Sequence, residues 1–312
     1  MGMLENKLSW SKTRDEVFRE CLRKYFFQYY GSWGGWDRSA TPRVREAYLL
    51  KKLQTRQMWA GDKVHRSIRT VVEAMRAGEV HPDVDAAAAR LLDGMRQDYR
   101  DSSKGLYRGD PKRYCALFEH EYQATLLGEV WKENARNAEE SLRNFYRSEV
   151  FHKLQGLPKA DWLEVEQLAT FQIDGTDVYV QLDLAFRDRD RIVIYDWKTG
   201  KPDRDQSEIQ LACYAAYAVE KYGVTPEQVT ATALYLADNS ERARTIDTST
   251  LETIRQYIRD SLDEMRFLLE DPDKNAALED AFDYAEDEAS CHRCNFKKIC
   301  PRWTGAGTPA SI

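Results

Sequence analysis

Several features are scarce or missing in this chain, and each absence excludes a class of protein. No run of 18 or more apolar residues occurs among the 312 residues, so we expect no membrane-spanning segment. Residues 1–7 lack the apolar stretch of a signal peptide, and we therefore expect a cytoplasmic protein. Internal repeats and low-complexity tracts are also missing, which excludes solenoid and fibrous architectures. The length suits one large domain or two lobes.

An excess of basic residues is missing as well. The 46 lysines and arginines are outnumbered by 52 aspartates and glutamates, which gives a net charge of −6. That balance is not typical of a protein that coats nucleic acid. It still allows an enzyme that gathers carboxylates around metal ions and uses local basic patches. The candidate patches are Lys51-Lys52, Arg187-x-Arg189-x-Arg191, Lys201-x2-Arg204 and Lys297-Lys298.

Cysteine is rare, yet four of the six cysteines lie towards the two ends of the chain. Cys21 stands alone near the N-terminus, while the last three form the spacing C-x2-C-x5-C at Cys291, Cys294 and Cys300. Thiolates spaced in this way can surround a soft metal centre. In a reducing compartment such a cluster favours a metal over a disulfide. We interpret the two remaining cysteines as buried structural thiols: Cys115 and Cys213.

The pattern along the chain predicts helices first and a sheet afterwards. Thr13-Arg14-Asp15-Glu16 has the form of a capping box and opens an aromatic helix that ends at Gly31. Further helical patterns cover 42–78 with an interruption at Gly61, 83–100 and 118–150. Three strands in a meander are predicted at 163–173, 177–186 and 191–197, followed by a helix at 208–222, a strand at 229–237 and a helix at 249–270. The order indicates an α/β fold.

Carboxylates on neighbouring strands predict a metal site. Asp183 interrupts an otherwise mostly apolar strand, where an aspartate is costly unless something pairs with it. Asp196 and Lys198 are two residues apart on the next strand, so their side chains share a face. Hard cations prefer oxygen ligands, and Lys198 would then direct its ammonium at a phosphate or an attacking water. Cutting a phosphodiester needs this combination of charge neutralisation and a positioned water.

Other residues could complete this site. His65 lies on a helix before the sheet, and an imidazole ligand would make Mn²⁺ more competitive with Mg²⁺. Glu166 lies on the first strand and could bind the metal or orient another ligand. Gln210 and Tyr214 are four apart on one helix face, from which they could hydrogen-bond a phosphate or a water at the site.

Taken in order, these residues resemble the PD-(D/E)xK nuclease superfamily, specifically its RecB-like branch with an iron–sulfur cluster. That branch includes the RecB and AddB nuclease domains, the CRISPR-associated Cas-four exonucleases and the exonuclease V family. One departure is Val180-Gln181-Leu182-Asp183, which lacks the glycine of the family's usual Gly-x-Ile-Asp. The matching positions, which span nearly the whole chain, are Ser9 and Ser11, Cys21, Gly61 and His65, Glu166, Asp183, Asp196-Trp197-Lys198-Thr199-Gly200, Gln210 and Tyr214, and Cys291, Cys294 and Cys300.

The resemblance implies a restriction-endonuclease-like mixed central sheet flanked by helices. A large helical section would precede the sheet, and an iron–sulfur lobe would join both termini. The implied division places the lobe at 1–36 and 271–312, the helical section with the site histidine at 37–155 and the nuclease core at 156–270.

The resemblance also implies a metal-dependent DNA exonuclease that hydrolyses single-stranded DNA from an end, in DNA repair or recombination or in CRISPR spacer acquisition. The implied cofactors are Mn²⁺ or Mg²⁺ and a 4Fe–4S cluster. The implied metal ligands are His65, Asp183 and Asp196, and the implied catalytic residues are Asp183, Asp196, Lys198, Glu166, Gln210 and Tyr214. The implied cluster ligands are Cys21, Cys291, Cys294 and Cys300.

Aromatic residues and missing motifs bear on the partners. Aromatic side chains in the helical half could stack on single-stranded bases: Trp33, Trp36, Trp59, Tyr107, Trp131 and Tyr146. No Gly-x4-Gly-Lys-Ser/Thr sequence is present, so the chain has no helicase motif of its own. It would act alone or with a partner helicase or CRISPR integrase.

Two alternatives remain open at this stage. The chain could be an iron–sulfur DNA-end-binding protein that serves a partner and has little activity of its own. The intact set of Asp183, Asp196 and Lys198 argues against that alternative. The cysteines could also hold zinc, with His292 as a possible substitute ligand.

Overall fold

The structure, a computed structural model, describes residues 5–123, 126–200 and 204–305, without the side chains of 204–207. The strands are β1 (Leu53–Gln54), β2 (Ala116–Leu117), β3 (Trp162–Ile173), β4 (Thr176–Asp188), β5 (Arg191–Lys198), β6 (Val229–Tyr235) and β7 (Ser240–Thr245). The α-helices are α1 (Lys12–Glu20), α2 (Leu22–Phe26), α3 (Pro42–Leu50), α4 (Arg56–Ala77), α5 (Val84–Ser103), α6 (Phe118–Glu121), α7 (Gly128–Arg147), α8 (Glu149–Gln155), α9 (Arg204–Tyr222), α10 (Thr248–Phe267), α11 (Glu288–His292) and α12 (Pro301–Thr304).

A five-stranded mixed sheet in the order β3-β4-β5-β6-β7 forms the centre of the molecule. Its strands pair antiparallel except for β5 and β6, which are parallel and joined through α9. Two parallel neighbouring strands need such a crossover, because the chain has to return to the end of the sheet at which the first strand began. The prediction of an α/β fold with a mixed sheet flanked by helices is confirmed.

The meander of β3, β4 and β5 follows the predicted strands closely. Asp174 and Gly175 both adopt positive φ, 48° and 76°, as the two central residues of a type I′ hairpin turn require. The edge strand β7, in contrast, was not predicted. Its side chains are all exposed or half-buried, so its sequence carries no apolar alternation that would reveal a strand.

Two hydrophobic cores cover the two faces of the sheet. One core contains α9, α10 and the N-terminal α1, and the other contains α4, α5, α7 and α8. Trp10, Phe18 and Tyr25 belong to the first of these cores, so the N-terminal segment packs directly on the sheet. The division of the chain into a cluster lobe, a helical section and a nuclease core stays a prediction.

The N-terminal helix is not continuous, contrary to expectation. Cys21 adopts extended geometry, with φ −166° and ψ 119°, and separates α1 from α2. A π-helical turn, Phe27–Gly31, follows α2. The cap of α1 also differs from the prediction, because the side chain of Ser11 accepts a hydrogen bond from the Arg14 N–H. The residue types at 13–16 fit a capping box with Thr13 as the N-cap, but the N-cap is Ser11, two residues earlier.

The expected interruption at Gly61 is wrong. The helix α4 runs through Gly61 without a break, and the actual interruption lies at 51–55, where β1 pairs with β2. A glycine inside a helix is tolerated at a cost of about 1 kcal/mol. A glycine is favoured at this position because α4 approaches Thr199 closely.

Candidate functional site

Seven predicted site residues line one pocket of about 780 Å³ beside the end of β5. They come from α4, β3, β4, β5 and α9, which the fold brings together from distant parts of the sequence. The residues are His65, Glu166, Asp183, Asp196, Lys198, Gln210 and Tyr214.

His65, Glu166 and Asp183 form the part of the pocket best suited to a cation. His65 Nδ1 lies 3.1 Å from Asp183 Oδ1 and 3.7 Å from Glu166 Oε1. One ligand atom from each of the three lies within 4.8 Å of the others. Two carboxylates and an imidazole that face each other at this range suit a divalent cation. Of the three residues predicted to bind metal, His65 and Asp183 belong to this set and Asp196 does not, while Glu166 does.

Glu166 adopts a strained backbone conformation at this position. Its φ is 48°, in the left-handed region, which costs a non-glycine residue about 1–3 kcal/mol. Gln181 Nε2 donates a hydrogen bond to Glu166 Oε2 at 3.0 Å. The other oxygen, Oε1, is buried without a hydrogen-bond partner in the described chain. The carboxylate is therefore held with one oxygen free for a ligand.

Asp183 lies at an irregularity in β4. Leu182 packs in the core beside α9, whereas Leu184, two residues later, packs in the core beside α4. In a regular strand both side chains would lie on one face. The Trp197 N–H donates a hydrogen bond to Asp183 Oδ2 at 2.7 Å, so Oδ1 is the oxygen that faces His65.

Asp196 belongs to a closed ring of polar contacts. Lys198 Nζ donates to Gln210 Oε1 at 2.6 Å, Gln210 Nε2 donates to the Tyr214 hydroxyl at 2.6 Å, and that hydroxyl donates to Asp196 Oδ1 at 3.2 Å. Lys198 Nζ also lies 2.6 Å from Asp196 Oδ2. The ammonium of Lys198 therefore pairs directly with the second oxygen of the Asp196 carboxylate.

The pKa values of the site reflect burial and crowding of charge. Burial and the neighbouring Asp183 raise the pKa of Asp196. Burial alone would lower the pKa of His65, but Asp183 and Glu166 outweigh it and raise that pKa well above its usual value. Burial and Asp196 raise the pKa of Tyr214 well above its usual value, so its hydroxyl stays a donor. A divalent cation among these carboxylates would reverse the balance by favouring their charged forms.

Gly61 allows α4 to approach the end of β5. A Cβ atom at this position would lie 2.9 Å from Thr199 Oγ1, which is closer than real Cβ contacts come. His65 follows one turn later on the same helix face. The spacing Gly-x3-His therefore combines a close helix–strand contact with an imidazole that faces the carboxylates of the pocket.

Sequence reasoning missed part of the pocket. Gln181 orients Glu166, and its position two residues before Asp183 on one strand would have placed both on the same face. The segment 10–13 also lines the pocket, because Trp10 pairs with Val178 in an isolated β-bridge. Nothing in the spacing of the sequence signals that long-range bridge.

Several aromatic and basic residues that were predicted to contact nucleic acid are buried or contact other parts of the protein. Trp59 and Tyr107 are only 3% exposed, so the prediction that they stack on bases is wrong, while Trp33 and Trp36 are exposed. Lys51 donates to the Gln28 carbonyl, and burial lowers its pKa to about 8. Lys297 Nζ donates to the His292 carbonyl and Lys298 pairs with Glu121. Lys201 and the side chain of Arg204 lie outside the described residues.

A second cavity gathers the four terminal cysteines. Cys21, Cys291, Cys294 and Cys300 all line it, between α2 and the C-terminal segment. Backbone N–H groups donate to two of the sulfurs at 3.4 Å, from Lys24 to Cys21 Sγ and from Phe296 to Cys294 Sγ. Arg23, Lys24, Lys297 and Arg302 line the same cavity.

The six cysteines are free thiols. Cys213 is buried as predicted, and Cys115 is half-buried. Burial raises the pKa of Cys115 and of Cys294 to about 12. Across 5–123, 126–200 and 204–305, no three cysteine sulfurs lie within 4.8 Å of one another, and the only such ligand set is His65 with Glu166 and Asp183.

No helix in the described part of the chain is both long and apolar enough to cross a bilayer. Among curated proteins, none matches the sequence. Among solved structures, the crystal structure of SSO0001 is similar, with 15% sequence identity and a TM-score of 0.31 over 59% of this chain and 79% of that one. Residues 9–301 match the PD-(D/E)XK nuclease superfamily, and that span contains the whole pocket and the four terminal cysteines. The chain therefore belongs to the PD-(D/E)XK nuclease superfamily.

Proposed function

We propose that this nuclease is a metal-dependent DNA exonuclease that hydrolyses single-stranded DNA from an end. The observation that supports it best is the meeting of His65, Glu166 and Asp183 with the Asp196–Lys198 pair in one pocket. One buried carboxylate oxygen in that pocket, Glu166 Oε1, has no hydrogen-bond donor in the described residues, while Asp196 Oδ2 contacts Lys198 Nζ at 2.6 Å. Buried carboxylate oxygens are costly unless something pairs with them, and a cation would do so.

His65, Glu166, Asp183 and Asp196 would hold one or two ions of Mn²⁺ or Mg²⁺. When bound, the metal would neutralise charge on the phosphate and make a water more acidic. Carboxylate oxygens suit both ions, while the imidazole nitrogen of His65 improves the competitiveness of Mn²⁺. The ammonium of Lys198 is a positive charge supplied by the chain itself. Its Nζ donates to Gln210 Oε1 at 2.6 Å, which fixes its position.

Gln210 and Tyr214 take a different role from direct phosphate binding. Tyr214 is 5% exposed, and its hydroxyl is engaged by Gln210 and Asp196. We propose that the two residues position Lys198 and Asp196 for the reaction. Lys198 then remains the residue that contacts the phosphate or the attacking water.

The rim of the pocket supports a single-stranded substrate. Met58 and Leu168 are each 62% exposed and Tyr179 is 38% exposed, and all three line the pocket. Bases of a single strand have unstacked faces that apolar and aromatic side chains can cover, whereas bases in a duplex do not. An end of the strand would reach the carboxylates past these side chains.

Single-stranded oligonucleotides labelled at either end test the proposal. With Mn²⁺ or Mg²⁺, the wild-type protein is expected to release short products from one end, and EDTA is expected to stop it. Asp196→Asn should slow cleavage by about a thousandfold, because the isosteric amide loses the ligand charge. The matched variant Asp161→Asn, outside the pocket, should cut normally. Cleavage by Asp196→Asn at the wild-type rate would contradict the site. Tight end binding without any cleavage would favour the DNA-end-binding alternative.

We also propose that Cys21, Cys291, Cys294 and Cys300 hold a 4Fe–4S cluster. A cluster with four thiolates carries negative charge, which the surrounding Arg23, Lys24, Lys297 and Arg302 would offset. The two N–H···S hydrogen bonds fit thiolate ligands. Tetrahedral zinc would bring its sulfurs to about 3.8 Å from one another. No three of these sulfurs lie within 4.8 Å of one another in the described residues, and iron analysis against zinc analysis of the purified protein separates the two metals.

The source of single-stranded ends is a further part of the proposal. The sequence given contains no Gly-x4-Gly-Lys-Ser/Thr motif. We propose that a helicase or a CRISPR integrase supplies those ends during repair, recombination or spacer acquisition. Co-purification with such a partner, reversed by a competing single-stranded oligonucleotide, would support this role.

A further inference from the structure

A second depression lies in the helical section, on the other side of α4 from the catalytic pocket. It is a groove of about 620 Å³ between α5 and α7, with Trp59, Met95 and Ala135 in its floor. Asp98 on α5 accepts hydrogen bonds from Trp59 Nε1 at 3.0 Å and pairs with Lys63 at 2.6 Å. These contacts fix α5 against α4, so the groove has a rigid base.

The walls of the groove are basic, unlike the protein as a whole. Arg96 and Arg100 on α5 face Lys132 and Arg136 on α7, and the only acid in the lining is Glu139. Arg96 and Lys132 each form a solvent-exposed ion pair with an acidic residue on their own helix. Such pairs contribute little free energy, so a phosphate can replace the acidic partner. Arg100 and Arg136 form no salt bridge with any residue that the structure describes. The groove thus concentrates positive charge on a chain whose net charge is −6.

Aromatic rings lie between these cations. Tyr99 is 39% exposed, and its ring centroid lies 5.0 Å from that of Trp131 at an angle of 79°. His120 stacks on Trp131 with the rings 5.4 Å apart and nearly parallel. Trp131 is thereby held in one orientation at the edge of the groove. Rigid rings alternating with cations form the surface on which single-stranded nucleic acid stacks its bases and neutralises its phosphates.

The groove and the catalytic pocket share a wall. Met58 lines the pocket, and the next residue, Trp59, lines the groove. The two depressions are therefore separated by the first turn of α4, and a helix is about 10–12 Å across. A strand of a few nucleotides can cross that distance.

We propose that the groove between α5 and α7 binds the part of a single strand that lies beyond the nucleotides in the catalytic pocket. This inference rests on the proposed function, because it assigns a path to the substrate of the same site. Arg100 and Arg136 contact phosphates, and Tyr99 and Trp131 stack on bases. The groove makes binding depend on the length of the strand, while the pocket alone accepts a short one.

The test compares two thymidine oligonucleotides, of about 5 and about 20 nucleotides, with the full-length protein. Affinity is measured in EDTA by fluorescence anisotropy, and cleavage in Mn²⁺. The double variant Arg100→Gln/Arg136→Gln is expected to bind the long strand about tenfold more weakly, with a salt dependence whose slope falls by about 0.7 for each lost phosphate contact. Its binding and cleavage of the short strand should equal those of the wild type. Tyr99→Leu, which keeps an apolar side chain, should also weaken only the long strand.

The control Arg255→Gln/Arg259→Gln removes the same charge from α10 and should change neither oligonucleotide. Unchanged binding of the long strand by both groove variants, with normal melting temperatures, would overturn the groove proposal and leave the surface to an acidic protein partner. Equal weakening by the control would assign the effect to net charge and also overturn it. Failure of the wild type to cleave either oligonucleotide would contradict the proposed function instead.

Discussion

A single hydroxyl, that of Tyr214, connects the lysine of the site with its buried aspartate. It accepts from Gln210 and donates to Asp196, so it sets the orientation of the carboxylate that would bind metal. Hydrogen bonds to a metal ligand typically change metal affinity 10–100-fold when they are removed. We therefore expect Tyr214 to act by positioning Asp196.

Tyr214→Phe is expected to lower the affinity for Mn²⁺ about tenfold or more and to slow cleavage, because Asp196 loses the hydrogen bond from the Tyr214 hydroxyl. Isothermal titration calorimetry on the folded variant measures the affinity. Tyr146→Phe is the matched control, because the Tyr146 hydroxyl also donates one hydrogen bond, at 2.8 Å to the Pro82 carbonyl, outside the pocket. Equal metal binding by Tyr214→Phe and the wild type would show that Asp196 is oriented by something else.

At the scale of secondary structure, Glu164 fastens β3 to α9. It is 1% exposed, and its Oε1 accepts from Tyr217 at 2.9 Å, from Lys221 at 3.0 Å and from Tyr222. Glu164 lies two residues before the strained Glu166, next to a shift in the pairing of β3 with β4. These bonds hold the irregular stretch of β3 in place, so that Glu166 faces His65.

Glu164→Gln is expected to destabilise the fold by roughly 2 kcal/mol, because an acceptor of three hydrogen bonds loses its charge in a buried place. Thermal melting measures the loss, and Mn²⁺ affinity should fall with it, since Glu166 loses its support. Glu220→Gln changes an exposed glutamate on α9, the helix that Glu164 contacts, and should leave the melting temperature and the Mn²⁺ affinity unchanged. A normal melt of Glu164→Gln would mean that β3 does not depend on this anchor.

The sequence predicted the elements that local patterns determine. The strands β3, β4 and β5 show apolar runs with a turn at Asp174-Gly175, and their bounds were nearly right. Local patterns cannot show what depends on distant contacts. The break at Cys21, the bridge between Trp10 and Val178 and the polar edge strand β7 all belong to that class.

Part of the candidate site could be predicted from local sequence patterns, and part of it depends on distant contacts. Its ligands were predictable because their residue types are costly in apolar strands and need a partner. The ring through Gln210 and Tyr214 was only half predictable, since a shared helix face does not reveal that the ring closes on Asp196. The basic groove was missed because its cations come from two helices and form no run in the sequence.

At the scale of the whole molecule, contacts between the two ends of the chain enclose the sheet. Arg23 pairs with Glu279 at 2.9 Å and donates to the Phe282 carbonyl at 2.8 Å. The cavity of the four cysteines lies beside these contacts. A cluster there would close a loop of roughly 270 residues, and closing a long loop removes unfolded-state entropy.

Cys21→Ser is expected to remove most of the visible absorption near 400 nm and to lower the melting temperature, because metal binding energy becomes folding energy. Nuclease activity should fall less than the iron content, since no cysteine ligand belongs to the catalytic pocket. Iron content, melting and rate are measured on one preparation. Cys115→Ser, at a half-buried thiol outside the cavity, should keep its iron. Full iron in Cys21→Ser would remove Cys21 from the ligands.

The hydrogen bond from Arg23 to the Phe282 carbonyl also affects when the N-terminal segment can fold during synthesis. The two residues are 259 positions apart. A ribosome adds roughly 5–20 residues per second, so Arg23 waits roughly 10–50 seconds for its partner. Phe18 and Tyr25 lack the sheet until its strands at 162–245 have been made, and they lack the C-terminal segment for the whole interval. The N-terminal aromatic segment therefore stays partly uncovered during that time, and its core is complete only once Phe282 has been made.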